Sequence, residues 1–166
     1  MKIELDVKLD AKDLFKFNMQ QAYKGMQGML SIFLPILAFV YAINSFGKVD
    51  IIYTLLYAAL GLLFLGYVPF SLWKRASKVV TDTNNALSKS LHYEFSEEMI
   101  RVSVEAEQVE FKWENIYMMK KSGDLILIYT NRINAYILPM EQVGEKYRQL
   151  SELAYKKLEK YRIKMK

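Results

Sequence analysis

The chain has 166 residues, 52% of them hydrophobic, with a formal net charge of +5, one histidine and no cysteine. A length of this order holds about one domain. Without cysteine there are no disulfides and no thiolate metal site, and the single His92 argues against a protein-built zinc or haem centre.

Charge and hydropathy are unevenly placed. The last eleven residues hold Lys156, Lys157, Lys160, Arg162, Lys164 and Lys166 against Glu159, so the tail alone carries the net charge of the whole chain. Residues 26–73, by contrast, are almost entirely apolar. The first 25 residues alternate charged and apolar side chains, which is not the layout of a secretory signal, so the first apolar stretch is expected to stay in the mature protein.

In chain order, Ile3, Leu5, Val7 and Leu9 alternate with Lys2, Glu4, Asp6 and Lys8. Period two predicts a strand with one dry face, and a lone strand must join a sheet made elsewhere in the chain. Asp10 offers a helix N-cap. The stripe Phe15, Met19, Ala22, Met26 then reads as the start of one long helix entering the first apolar stretch, or as a segment lying at a membrane interface.

Between Lys24 and Lys48, and again between Asp50 and Lys74, lie 23 residues without Asp, Glu, Lys or Arg. At about 1.5 Å per residue each is long enough for a bilayer core of about 30 Å. Residues 28–46, with Pro35, and 51–73, with Gly61, Gly66 and Pro69, are therefore expected to form a transmembrane hairpin. Tyr53, Tyr67 and Trp73 stand towards the ends of the second span, as in an aromatic belt. Lysine and arginine crowd both outer flanks (Lys2, Lys8, Lys12, Lys16 and Lys24; Lys74, Arg75, Lys78 and Lys89), whereas the turn has Lys48. This predicts a cell-membrane protein with both termini cytoplasmic. Ala38-x-x-x-Ala42 and Thr54-x-x-x-Ala58 are small-residue faces that suit either the hairpin itself or a homo-oligomer.

Helical spacing through Trp73, Ala76, Val80, Thr83 and Leu87 carries the second helix past the membrane, to weaken near residues 81–85. Strand signals follow at residues 91–95, 100–104, 109–113, 125–129 and 133–138, with turns at Ser96-Glu97-Glu98 and Ser122-Gly123-Asp124. Pro139 and Glu141 open a last helix whose apolar stripe is Val143, Tyr147, Leu150, Ala154, Leu158 and Tyr161.

Tyr93-Glu94-Phe95 with Ile100-Arg101-Val102, the W-x-x-I run Trp113-Glu114-Asn115-Ile116, and Ile137-Leu138-Pro139 form three short motifs. Together they resemble the YcxB-like family of bacterial membrane proteins. The resemblance implies a short N-terminal strand, two spans and a C-terminal domain similar to bacterial pleckstrin-homology domains. Met140 stands where the family often has a basic residue. The expected fold class is thus α+β: a transmembrane helical hairpin plus a small antiparallel sheet or barrel closed by a C-terminal helix, pleckstrin-homology-like. The divisions are 1–25 (strand and juxtamembrane helix), 26–73 (hairpin), 74–90 (connector) and 91–166 (cytosolic domain).

No nucleophile elbow, phosphate loop or zincin sequence is present. His92 reads as a structural or part-exposed strand residue. Glu97, Glu98, Glu105, Glu107 and Glu110 read as turn and wet-face carboxylates. The expectation is no enzyme, no catalytic or metal-binding residues and no cofactor. The expected role is binding or scaffolding for a protein partner at the membrane. The alternative is a small membrane-protective or immunity factor acting against antimicrobial peptides or envelope stress. Lys156, Lys157, Lys160, Arg162, Lys164 and Lys166 read as a solvated helix end or as contacts to anionic lipid. Nucleic acid is not expected, because there is no basic face or stacking platform. The acidic turn at Glu97-Glu98 disfavours a phosphoinositide headgroup at that position.

Overall fold

The computed structural model describes residues 2–24 and 26–165, and for Gln27 the backbone alone. It divides into two compact units, one of Met1–Leu14 with Ser77–Lys166, the other of Phe15–Ala76.

The first unit is a mixed α+β body. Strand β1 (Ile3–Lys8) buries Ile3, Leu5 and Val7 and exposes the residues between them, as its period predicts. β1 pairs antiparallel with β2 (Ser90–Phe95), with Ile3 opposite Phe95 and Val7 opposite Leu91. The partner of the N-terminal strand therefore lies in the same chain, beyond both apolar helices. β3 (Met99–Val104) and β4 (Glu107–Lys112) complete a four-stranded sheet of order β1-β2-β3-β4. The second sheet has the order β7-β6-β5-β8, from β5 (Met118–Ser122), β6 (Leu125–Tyr129), β7 (Ala135–Pro139) and β8 (Ile163–Lys164). The two sheets stay separate and do not close into a barrel. β8 runs parallel to β5, so the second sheet is not wholly antiparallel.

β6 is buried throughout its five residues. Around it, Tyr93, Phe95, Ile100, Trp113, Ile116, Met119, Leu138 and Leu150 fill the core. β5 is a strand that periodicity does not announce, since Met-Met-Lys-Lys-Ser has one buried residue, Met119. Ile133, expected in a strand, is instead exposed in the turn before β7, where Asn131 Oδ1 accepts from the Ile133 and Asn134 amides. Trp113 opens a 3₁₀ turn and does not extend β4. The last helix is shorter than its stripe. α4 (Met140–Val143) stops at Gly144, whose φ of +50° suits a residue without Cβ. α5 (Lys146–Lys157) ends before Leu158, and Tyr161 is exposed outside it.

The second unit is helical. α1 (Ala11–Ala22) is capped as expected: the Asp13 amide donates to Asp10 Oδ1 at 2.7 Å, and the Asp10 amide donates back to Asp13 Oδ2. It does not run on as one long helix into α2 (Met26–Ser45). At the junction the Gly28 backbone packs so tightly on Tyr23 that a Cβ would stand 2.6 Å from the Tyr23 carbonyl carbon. α3 runs Ile51–Thr81, past the expected span, and ends within the segment foreseen as weak.

α2 and α3 are both long and apolar enough to cross a membrane. Their buried positions among the described residues are small or compact: Gly28, Pro35 and Ala42 on α2, Thr54, Gly61 and Ala76 on α3. The large residues face outwards, with Phe33, Ile36, Leu62, Leu63 and Leu65 all more than half exposed. An apolar exterior around a small-residue seam is the layout of helices packed in lipid. A Cβ on Gly61 would meet the Phe39 ring at 2.9 Å, whereas one on Gly66 would meet nothing within 4 Å. Gly61→Leu is therefore expected to part the two helices, and Gly66→Leu to be tolerated. Disulfide trapping between cysteines placed at residues 42 and 54 reads this as lost and retained cross-linking, respectively.

Candidate functional site

The wet face of the first sheet carries a ladder of cross-strand charges. Glu94 stands opposite Glu4 on one side and Arg101 on the other, and Arg101 stands opposite Glu110. The like-charged pair Glu4/Glu94 is bridged by the Lys2 ammonium, at 2.7 and 3.3 Å. Arg101 donates to Glu110 at 2.7 Å and to Glu94 at 3.1 Å. Its pKa rises through the bond to Glu110 first, and Glu4 is lowered by its bond to Lys2. Exposed pairs of this kind contribute little stability individually. They do fix the register of four strands, because each strand must present its charge at the matching position.

His92 belongs to this ladder. Its Nδ1 is 2.7 Å from Asp6 Oδ1 across the β1–β2 pair, and its ring is about one-third exposed. The turn and wet-face carboxylates are dispersed. Glu110 is held by Arg101, Glu105 by Lys89 at 2.8 Å, and Glu97 by the tail. No group of three His, Asp or Glu among the described residues is placed to hold a metal.

The tail is where sequence and structure differ most. Lys156 reaches Glu97 at 3.1 Å and Lys157 reaches it at 3.4 Å, so two of the six cations clamp the acidic β2–β3 turn. Arg162 turns inward: Nη1 donates to the carbonyls of Glu114 and Ile116 at 3.1 and 3.2 Å, and Nε donates to the Tyr161 hydroxyl at 3.2 Å. The chain then runs beside β5, burying Ile163 and Met165, and the Tyr147 hydroxyl donates to the Met165 carbonyl. Lys160 and Lys164 remain exposed and, among the described residues, without ion pairs, and Lys166 lies outside the described residues. The cations thus do not form one solvated helix end. Half of them hold the tail to the body.

Glu97 is lowered in pKa by its bonds to Lys156 first and Lys157 second. A carboxylate depressed in the folded state stabilises the fold above its ordinary value of 4.5, and that contribution disappears as pH falls through the lowered value. Acidification below about pH 4.5 is therefore expected to loosen the tail. Glu97→Gln should remove that part of the pH dependence, read as protection of Ile163 and Met165 amides from hydrogen exchange.

The remaining candidate is an open sheet edge. β1, at one edge of the first sheet, is covered: the Lys8 amide donates to Gln142 Oε1, Gln142 Nε2 donates to the Lys8 carbonyl, both at 2.8 Å, and Lys146 Nζ donates to the Glu4 carbonyl. β4, at the other edge, is exposed along nearly its whole length, and Val109 is 53% exposed although it pairs with buried Val102. Phe111 stacks on Tyr136 at 5.4 Å. Beside it, Met99, Glu110, Phe111, Lys112, Glu114 and Asn115 line a cavity of about 400 Å³. Strand periodicity marks β4 as a strand but cannot tell an edge from a centre, so this exposure is not visible in the sequence.

These features define a chain with a two-helix hairpin of membrane-spanning length and a mixed α+β body, with charge ladders and an open edge in that body. Residues 95–154 match the family model described as YcxB-like protein, so this part of the chain is similar to that family. The match covers the W-x-x-I run, whose Trp113 and Ile116 are both core residues. No curated protein and no solved structure matches the chain.

Proposed function

We propose that this is an integral cell-membrane protein with both termini cytoplasmic, whose α+β body binds a protein partner beside the membrane. The observation that carries the binding role is the uncovered β4 edge. Unpaired main-chain groups on an edge strand accept an added strand, and proteins that do not use an edge usually cover or charge it. Here the opposite edge is covered by Gln142 and Lys146, whereas β4 is uncovered and, between its charged residues Glu107, Glu110 and Lys112, presents Val109 at 53% exposure.

The topology draws on the sheet itself. β1 precedes both spans and β2 follows them, so their pairing requires an even number of crossings, with both flanks on one side. The excess of lysine and arginine on those flanks favours the cytoplasmic side. Two four-stranded sheets with a C-terminal helix also suit a pleckstrin-homology-like plan. Glu97, held by two lysines, sits where a phosphorylated headgroup would need free cations, so lipid recognition in that turn is disfavoured.

Partner capture from native membranes in mild detergent tests the binding role. Exchange of the hairpin for an unrelated two-span hairpin should retain the captured protein, and Val109→Lys, which replaces the exposed apolar residue of the edge by a charge, should release it. Retention by Val109→Lys, or loss on hairpin exchange, would count against the edge.

A further inference from the structure

At the turn between α2 and α3 lies a cup of about 430 Å³, lined chiefly by Tyr41, Asn44, Lys48, Tyr53 and Tyr57. Its frame is closed by its own backbone. Gly47 takes φ +72°, and the Lys48 and Val49 amides donate to the Ser45 carbonyl at 3.0 and 3.2 Å. Asp50 accepts from the Ile52 amide through Oδ1 at 3.1 Å. Ser45 Oγ and Thr54 Oγ1 are bonded to each other at 3.2 Å. The polar groups of the frame are therefore occupied.

Those of the lining are not. Among the described residues, the Lys48 ammonium, the Asn44 amide and the hydroxyls of Tyr41, Tyr53 and Tyr57 have no hydrogen-bond or ion-pair partner within the chain. No carboxylate lines the cup. Each of these groups can donate, around one positive charge, while the nearby Asp50 lies outside the lining and accepts from the Ile52 amide, so the chemical complement of the cup is an anion with several acceptor oxygens. A quaternary amine over the tyrosine faces is disfavoured, because Lys48 would repel it.

The position selects among anions. Tyr41 lies four residues before the end of α2, and Tyr57 lies six after the start of α3. They stand roughly 6 and 9 Å along their helices from the turn. A headgroup layer is roughly 5–8 Å thick on each side of the hydrocarbon. We infer that the cup binds the phosphodiester headgroup of an anionic membrane phospholipid, with Lys48 and the tyrosine hydroxyls on the phosphate and the acyl chains along the apolar helix surfaces. The inference rests on the hairpin crossing a bilayer, and is independent of the β4 edge.

The test is native mass spectrometry of the full-length protein in mild detergent, titrated with phosphatidylglycerol, with diacylglycerol of the same acyl chains, and with soluble glycerophosphoglycerol. Phosphatidylglycerol should be retained over both. Lys48→Gln should weaken it by about tenfold, as loss of one charge-assisted hydrogen bond would. The triple change Tyr41→Phe, Tyr53→Phe, Tyr57→Phe should weaken it with the rings kept, and Lys78→Gln, away from the cup, should not. Equal retention of diacylglycerol, equal competition by the soluble headgroup, or no effect of Lys48→Gln would overturn the site. Alkaline extraction of native membranes separates the two failures: release of the protein refutes the spanning hairpin and the cup with it, whereas a chain that stays in the membrane without selective retention refutes the cup alone.

Discussion

A fragment of residues 77–166 is expected not to fold by itself, although it contains seven of the eight strands. Such a fragment lacks β1, whose Ile3, Leu5 and Val7, with Leu9 just beyond, are at most 4% exposed. Burial of four such side chains is worth about 1.5–3 kcal/mol each, hence on the order of 6–12 kcal/mol as an upper estimate. The net stability of a typical domain is about 5–15 kcal/mol, so the loss removes most or all of it. The fragment would also expose the edge of β2, with Leu91, Tyr93 and Phe95 facing an incomplete core. Residues 1–14 fused through a flexible linker to residues 77–166 should restore a dispersed amide spectrum. A dispersed spectrum from residues 77–166 alone would show that β1 is dispensable.

Trp113→Ala is expected to be the most damaging single substitution in the α+β body. Trp113 is 4% exposed, packs against Phe95 at 6.5 Å between ring centres, and donates its indole N–H to the Ser96 carbonyl at 2.9 Å. It therefore ties the 3₁₀ turn before β5 to the β2–β3 turn. Truncation of a buried tryptophan costs about 3–5 kcal/mol, and here it also leaves the Ser96 carbonyl without its partner. For a domain of this size the thermal midpoint should fall by roughly 15 °C or more. Trp113→Phe keeps the ring packing and loses the hydrogen bond, so its cost should be nearer about 1 kcal/mol. Thermal unfolding followed by circular dichroism would rank the two, and equal midpoints would show that the indole bond carries the whole effect.

Much of this architecture was legible because it rests on long or regular patterns. Two uncharged runs mark the hairpin, and alternation at residues 3–9 and 99–104 marks strands with one dry face. What escaped was short or depended on a distant partner. Met118–Ser122 has a single fully buried side chain and two lysines, so period two does not emerge; it becomes a strand because β6 and β8 flank it. In the tail, Ile163 and Met165 alternate with Arg162 and Lys164, but two residues of strand are too few for periodicity, and the charge suggested a helix end in water. The break at Gly144 had a local sign, glycine at a helix C-terminus, which the surrounding apolar stripe outweighed. The cup at the hairpin turn was unseen because its tyrosines come from two helices, and spacing along the chain does not show which of them meet.

The pairing of β1 with β2 also orders events during synthesis. β1 is translated first, yet its partner emerges only after both apolar helices have been made. Until then the dry face of β1 has no sheet to join, and β2, β3 and β4 have no covered edge on that side. A chain that places only one of its helices across a bilayer would strand β1 and β2 on opposite faces and could never complete the sheet. Completion of the sheet would thus depend on threading: a chain with both helices across a bilayer can pair β1 with β2, and a chain with one across would leave Ile3, Leu5 and Val7 without a sheet to bury them.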